Sequence, residues 1–183
     1  MSLNAYDVSA GVFIRGLTNL KAQLAKAEAQ AAASGRDAAT LLDARLGRDG
    51  DGASGAPYDL HMYTLAAHVH WAAEGARLAI ANVLGAHAVP DTSEARSFSD
   101  LHQRLDSAIA EFRKVAAADL DAGLGRTVVI EHRRGSASGD GRQFLLALAL
   151  PHFFYHVTTA YGILRNEGVQ LTMGDFLGNW TAA

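Results

Sequence analysis

The 183-residue chain contains no cysteine. A disulfide framework, a thiolate nucleophile and a cysteine-ligated zinc site are therefore excluded. It carries no excess of basic charge: 16 Lys and Arg stand against 19 Asp and Glu, for a net charge of −3, so no field for nucleic acid is present. No apolar run reaches the length of a membrane span, because histidines and other polar groups break the longest ones. The first residues, Met1 to Asp7, lack the basic and apolar regions of a signal peptide, and a cytoplasmic location is expected. There is no internal repeat, no Walker motif and no GxSxG; Ser136-Ala137-Ser138 does not form a nucleophile elbow. Carboxylates are scattered, with no pair on an apolar stripe.

What is present suits one globular domain over residues 1–183. Hydrophobic residues make up 49% and charged residues 19%. Apolar spacing predicts a long helix over 8–34, with Phe13, Leu17, Leu20, Leu24, Ala27 and Ala31 on one face and Asp7 or Ser9 as its cap. A short helix capped by Asp37 follows, then a Gly/Asp-rich loop over 47–57. That loop holds a formal GxGxxG at 50–55, which no strand precedes and which acidic Asp49 and Asp51 make unfit for phosphate. It also fails as a calcium loop, since its sixth position is Ser54 and its twelfth Leu60. A second long helix is expected over 58–84, with His61, Leu65, His68, Ala72, Gly75 and Ala79 on one stripe. A third is expected from Ser97 or Ser99 to about Ala117, followed by a loop over 118–125. Thr127 to His132 reads as a strand, returning in a hairpin near Arg142-Gln143-Phe144. The fourth long helix should run from about Gln143 to Asn166 with a kink at Pro151. Its stripe passes through Leu145, Leu148, Ala149, His152, His156, Ala160 and Ile163. The tail after Gly168 carries enough apolar surface to pack back. Four long helices and one small hairpin describe an all-α, up-and-down four-helix bundle with its cavity between the helices.

Eight histidines are the main source of metal-ligating nitrogen. His152 and His156, four apart, lie on one helical face one turn apart, as a pair of imidazoles offered to one ion must. No Glu sits between them as in HExxH. A third ligand must come from another helix, and the second offers His61, His68 and His70. His68 shares the stripe of Leu65 and Ala72 and is the first choice. His70 falls on the side of Glu74 and Arg77, about 200° away, and His61 lies two turns before His68; both remain alternatives. Such a site would keep positions free for water or substrate. Buried histidines that only hydrogen-bond a carbonyl fit the same spacing. His87, His102 and His132 read as solvated. Thr159 reads as bonding the Tyr155 carbonyl, with orientation of His156 or a water as the alternative. Tyr63, Trp71, Phe144, Phe153 and Phe154 read as core or dimer-interface aromatics. Arg133-Arg134 reads as a solvated basic spot.

The segment Leu150-Pro151-His152-Phe153-Phe154-Tyr155-His156-Val157-Thr158-Thr159-Ala160-Tyr161-Gly162-Ile163-Leu164-Arg165-Asn166-Glu167-Gly168-Val169 resembles the hallmark of a bacterial domain-of-unknown-function family, number 1993. Asp175-Phe176-Leu177-Gly178, Leu41 to Leu46 and Met62-Tyr63 fit the same pattern, and residues 47–57 look like an insertion in it. That family is similar to the DinB/YfiT-like superfamily of four-helix bundles. The resemblance implies a homodimer that binds nickel or zinc through one second-helix histidine, here near His68 or His70, and the HxxxH pair His152 and His156. Some members of that superfamily are thiol-dependent transferases or isomerases, and a metal-dependent hydrolase or thiol transferase is the activity expected of this chain. A metal-free helical module for ligand binding or dimerisation is the alternative.

Overall fold

Residues 3–46, 63–132 and 135–179 are described by a computed structural model of the chain. The fold is mostly helical, with one small antiparallel hairpin. Helix α1, Ala10–Ala33, buries the expected stripe from Phe13 through Ala31. Ser9 occupies its N-cap position without capping it, and instead donates its hydroxyl hydrogen to the Ala5 carbonyl at 2.5 Å. Asp37 caps a single 3₁₀ turn, Ala38–Leu41, by accepting the Ala39 N–H. The Gly/Asp-rich loop, together with His61, lies outside the described residues.

Helix α2 is shorter than the spacing suggests: it spans Leu65–Leu84. Thr64 is extended (φ −67°, ψ 164°) and accepts the Ala67 N–H, a cap that the apolar pattern running through it concealed. Gly85, at φ +70°, ends the helix in the left-handed conformation that glycine takes without strain. Helix α3, Phe98–Phe112, is capped by Ser97 and ends about five residues before the expected Ala117. The expected loop after it contains a further helix, α4, Ala117–Gly123. Its cause is tertiary. Leu120 is fully buried, and Gly123 lies so close to the Val83 carbonyl that no Cβ fits there.

Strand β1, Thr127–His132, pairs antiparallel with β2, Gly135–Asp140, Thr127 opposite Asp140 and His132 opposite Gly135. The return strand is thus the Gly/Ser segment itself and not the residues near Arg142. Asp140 is already an N-cap, in a reciprocal capping box with Gln143. Arg133, Arg134 and the side chain of His132 lie outside the described residues.

The last long helical segment has three parts: α5 (Gly141–Phe144), a π-helical turn (Leu145–Ala149) and α6 (Leu150–Asn166). Pro151 has no N–H and its ring crowds the carbonyl four residues back. The chain meets this with a wide turn, in which the Leu150 N–H reaches the Leu145 carbonyl five residues back. The wide turn also moves the buried stripe. The expected Leu145, Ala149, His156, Ala160 and Ile163 are buried, and Gly141, Phe153, Val157, Thr159 and Leu164 join them. Leu148, expected inside, is 46% exposed, and His152 is exposed as well. Phe153 takes the core position in its place, its ring 4.9 Å edge-on from Phe13.

Helix α2 packs on α6 and α3, and α1 packs on α3 and α6, with one shared core between them. In the tail, Val169 and Leu171 are buried, and α7 (Met173–Leu177) returns to α1. Met173 and Leu177 stay exposed. No helix among the described residues is long and apolar enough to cross a membrane.

Candidate functional site

The contact of α2 with α6 brings His68, His152 and His156 together. Helix α2 lies along α6, with His68 on the one and His152 and His156 on the other meeting at the contact. His68 Nδ1 lies 2.9 Å from His156 Nδ1, and His156 Nε2 lies 3.3 Å from His152 Nε2. The three rings form a file that runs from a fully buried His68, through a buried His156, to a His152 whose outer edge meets solvent. Tyr63 stacks on His156 at 6.2 Å and 20°, and Tyr155 stands 5.6 Å from His68. Thr159 donates its hydroxyl hydrogen to the Tyr155 carbonyl at 2.7 Å and takes no part in the file.

Burial controls the charge of these rings. It lowers the pKa of His68 from 6.5 to about 4. It lowers that of His156 to about 3, with the neighbouring histidines adding to the effect. His152 is lowered too, because its inner edge is desolvated against α2 and His156. All three are neutral at pH 7, and a neutral ring has one donor and one acceptor. His68 Nε2 is buried and has no partner among the described residues. A buried N–H without a partner is rarer than a bare acceptor. The proton of His68 is therefore assigned to Nδ1, which donates to His156 Nδ1. His156 then donates from Nε2 to His152 Nε2, which leaves the proton of His152 on Nδ1, the edge that lies against Gly75.

The donor set suits nickel or zinc, since neutral imidazole is the ligand form. In this setting His156 uses one nitrogen toward each neighbour, so the three rings do not face one point. Among the described residues no group of three or more His, Asp or Glu side chains is arranged to hold a metal ion.

His70 is the alternative that the structure separates from the file. It is buried on the opposite side of α2 in a polar cluster. Its Nε2–H donates to the Asp91 carbonyl at 2.9 Å, and its Nδ1 accepts from Arg104. Glu74, also buried, takes two hydrogen bonds from Arg77 at 2.7 and 2.8 Å and a third from the Asp91 N–H. Arg77 and the Asp91 N–H hold the Glu74 pKa down against the opposing effect of burial. The cluster ties the connection after α2 to α2 and α3, beside a cavity of about 310 Å³. A buried carboxylate was not expected from the sequence, although Glu74 and Arg77 at i, i+3 on the His70 face were its signal. His102 departs from the solvated reading: it is half-buried, with Nε2 2.8 Å from Glu28. His87 is exposed as expected. Of the aromatics, Phe153 is core, while Tyr63 and Phe154 are exposed. Gly75 stood on the expected stripe without a role; it proves to lie against His152.

The mostly helical chain with its small hairpin has a DinB-like fold. A crystal structure of a DinB family member from Shewanella denitrificans, determined at 1.83 Å, superimposes with a TM-score of 0.79 and 29% identity. The match covers 97% of this chain and 94% of that one. More narrowly, the chain belongs to the family described as domain of unknown function DUF1993, whose model matches residues 5–177. No curated protein matches it.

Proposed function

We propose that this DinB-like protein binds one divalent ion, nickel or zinc, through His68, His152 and His156, and serves as a metal-dependent hydrolase or thiol transferase. The observation that carries the reading is the file of three neutral imidazoles. Two nitrogens on one tetrahedral ion stand about 3.3 Å apart, and the two contacts of His156 measure 2.9 and 3.3 Å. One ring must reorient for all three to serve one ion. In imidazole, Cε1 lies between Nδ1 and Nε2. Turning the His156 ring over about Cβ–Cγ exchanges Cε1 with Nε2, so that one nitrogen faces the space between His68 and His152.

A divalent ion there would supply Lewis acidity toward a water or a thiol. The chain's own residues would do the rest. Buried His68 anchors the closed end. The Tyr63 and Tyr155 rings shield the imidazoles from the side, and the exposed edge of His152 marks the entrance. The same reading takes α1, α2, α3 and the α5–α6 rod as the helices of an up-and-down bundle. It is one domain over residues 1–183, and its setting is cytoplasmic.

The test is elemental analysis of protein purified without a nickel column, followed by melting with added zinc or nickel. Metal at one hundred times its Kd should stabilise the fold by about 2.7 kcal/mol, a rise in Tm of about 5–10 °C. Absence of stoichiometric metal together with an unchanged Tm would overturn the reading.

A second reading, a metal-free module that dimerises or binds a small ligand, has its own support. A groove of about 190 Å³ between α1, α6 and α7 is lined by Val12, Phe154, Val157, Phe176 and Leu177, and Phe154 and Leu177 are exposed there. Sedimentation over a range of concentrations tests the homodimer. A monomer at every concentration removes it.

A further inference from the structure

We infer that Gly75 is a positioning residue: it holds open the space on α2 in which the His152 ring must lie to reach His156. The inference rests on the three-histidine reading above and adds a residue to it.

Gly75 sits in the middle of a 20-residue helix, where glycine is unfavourable relative to alanine. Its backbone gives no reason for glycine, since its φ is not among the positive values in the chain. Space supplies the reason. A Cβ at position 75 would stand 2.8 Å from both Nδ1 and Cε1 of His152. Gly75 lies seven residues, two turns, after His68 on the same face of α2. The glycine and the histidine thus present a ledge and a ligand to the same stretch of α6. His152 rests on the ledge with its Nε2 3.3 Å from His156 Nε2.

Two other glycines show what distinguishes this one. A Cβ at Gly16 would come within 2.6 Å of the Phe153 ring, which is fully buried and has nowhere to go. A Cβ at Gly123 would strike the Val83 backbone. Both glycines serve packing. His152, in contrast, has solvent on its outer side. An alanine at 75 would therefore swing the imidazole outward without compressing the core. The fold would keep its stability and lose one ligand.

The experiment uses Gly75→Ala in the full chain, alone and combined with His152→Ala. It measures zinc affinity by chelator competition, the Tm of the metal-free protein, and the nuclear Overhauser contact between the His152 and His156 rings in the metal-free protein. The expected result for Gly75→Ala is an unchanged or raised Tm, a loss of the ring-to-ring contact, and zinc binding weaker by about 10–100-fold, the range for groups that orient ligands. In the His152→Ala background the alanine at 75 should weaken zinc no further, because no ring remains to be displaced. Retention of the ring contact in Gly75→Ala overturns the inference, as does undiminished zinc affinity or an equal further loss in the His152→Ala background. Should the wild-type chain bind no zinc, the metal reading fails by itself, and the ring contact still decides the role of Gly75.

Discussion

Acidifying the metal-free protein from pH 8 to pH 5 should cost it about 4 kcal/mol through two residues alone, His68 and His156. Both have an ordinary pKa of 6.5 when exposed, and burial takes them to about 4 and about 3 in the fold. A depressed pKa means that the unfolded chain binds the proton first, so stability is full above 6.5 and falls as the pH drops below it. At pH 5 the unfolded chain has protonated both rings and the folded chain neither. Each ring then contributes a loss of about 2 kcal/mol. Their mutual repulsion does not enter, because it acts only once one of them is charged in the fold. The loss continues until the pH passes the folded values near 4 and 3. Carboxylates act lower: Asp175, held to about 2 by Lys26 and by Thr172, begins to matter only as the pH approaches its ordinary value of 3.8. For a domain of ordinary stability, about 5–15 kcal/mol, the loss is a large share of the total. The assay is urea unfolding in a chelating buffer at pH 8, 7, 6 and 5, on the wild type and on His68→Gln and His156→Gln. Between pH 6 and 5 the wild type should lose about 2.4 kcal/mol through these two rings, and each variant about half that. Stability independent of pH between 7 and 5, or an unaltered slope in both variants, would refute the burial argument.

Phe153→Ala should destabilise the fold by about 3–5 kcal/mol, since the ring is fully buried against Phe13 and seated over Gly16; the shift of the denaturant midpoint checks this. Gly16→Ala should also destabilise, by about 1–3 kcal/mol from overpacking against that ring, offset in part by the better helix propensity of alanine; thermal melting reads the net sign. Glu74→Gln removes the charge that receives Arg77 and the Asp91 N–H, and should cost about 2 kcal/mol while accelerating hydrogen exchange at the Asp91 amide. An Asp91 amide as well protected as in the wild type would show that the loop is held by other contacts.

Several features of the fold were legible because they depend on neighbours in the chain. The stripe of α1 follows the 3.6-residue period, and the structure buries it residue for residue. Gly85 and Ser97 mark helix ends by the conformations and hydrogen bonds their side chains permit. The spacing of His152 and His156 is likewise a local fact. What the periodicity misjudged lies where distant groups intervene. Pro151 signalled a disturbed helix, but the choice of a π turn depends on the faces α5 and α6 must both present to the core. That choice put Phe153 inside and His152 at the edge. Thr64 looked like one more helical residue until its cap defined the start of α2. Helix α4 exists because Leu120 and Gly123 dock on the core and on the end of α2.

By itself, the sequence determined a cysteine-free, mostly helical chain with histidines set one turn apart on an apolar helix, because composition and helical period are local properties. Only the tertiary structure decided which second-helix histidine meets them. His68 and His70 are two residues apart and point to opposite sides of α2, and the packing of α6 on one side and of α3 with its loop on the other assigns one to the file and the other to the Glu74 cluster. The depressed pKa values follow from that burial and not from residue type. The place of Gly75 beneath His152 is of the same kind: a missing Cβ acquires meaning only when another helix lies across it.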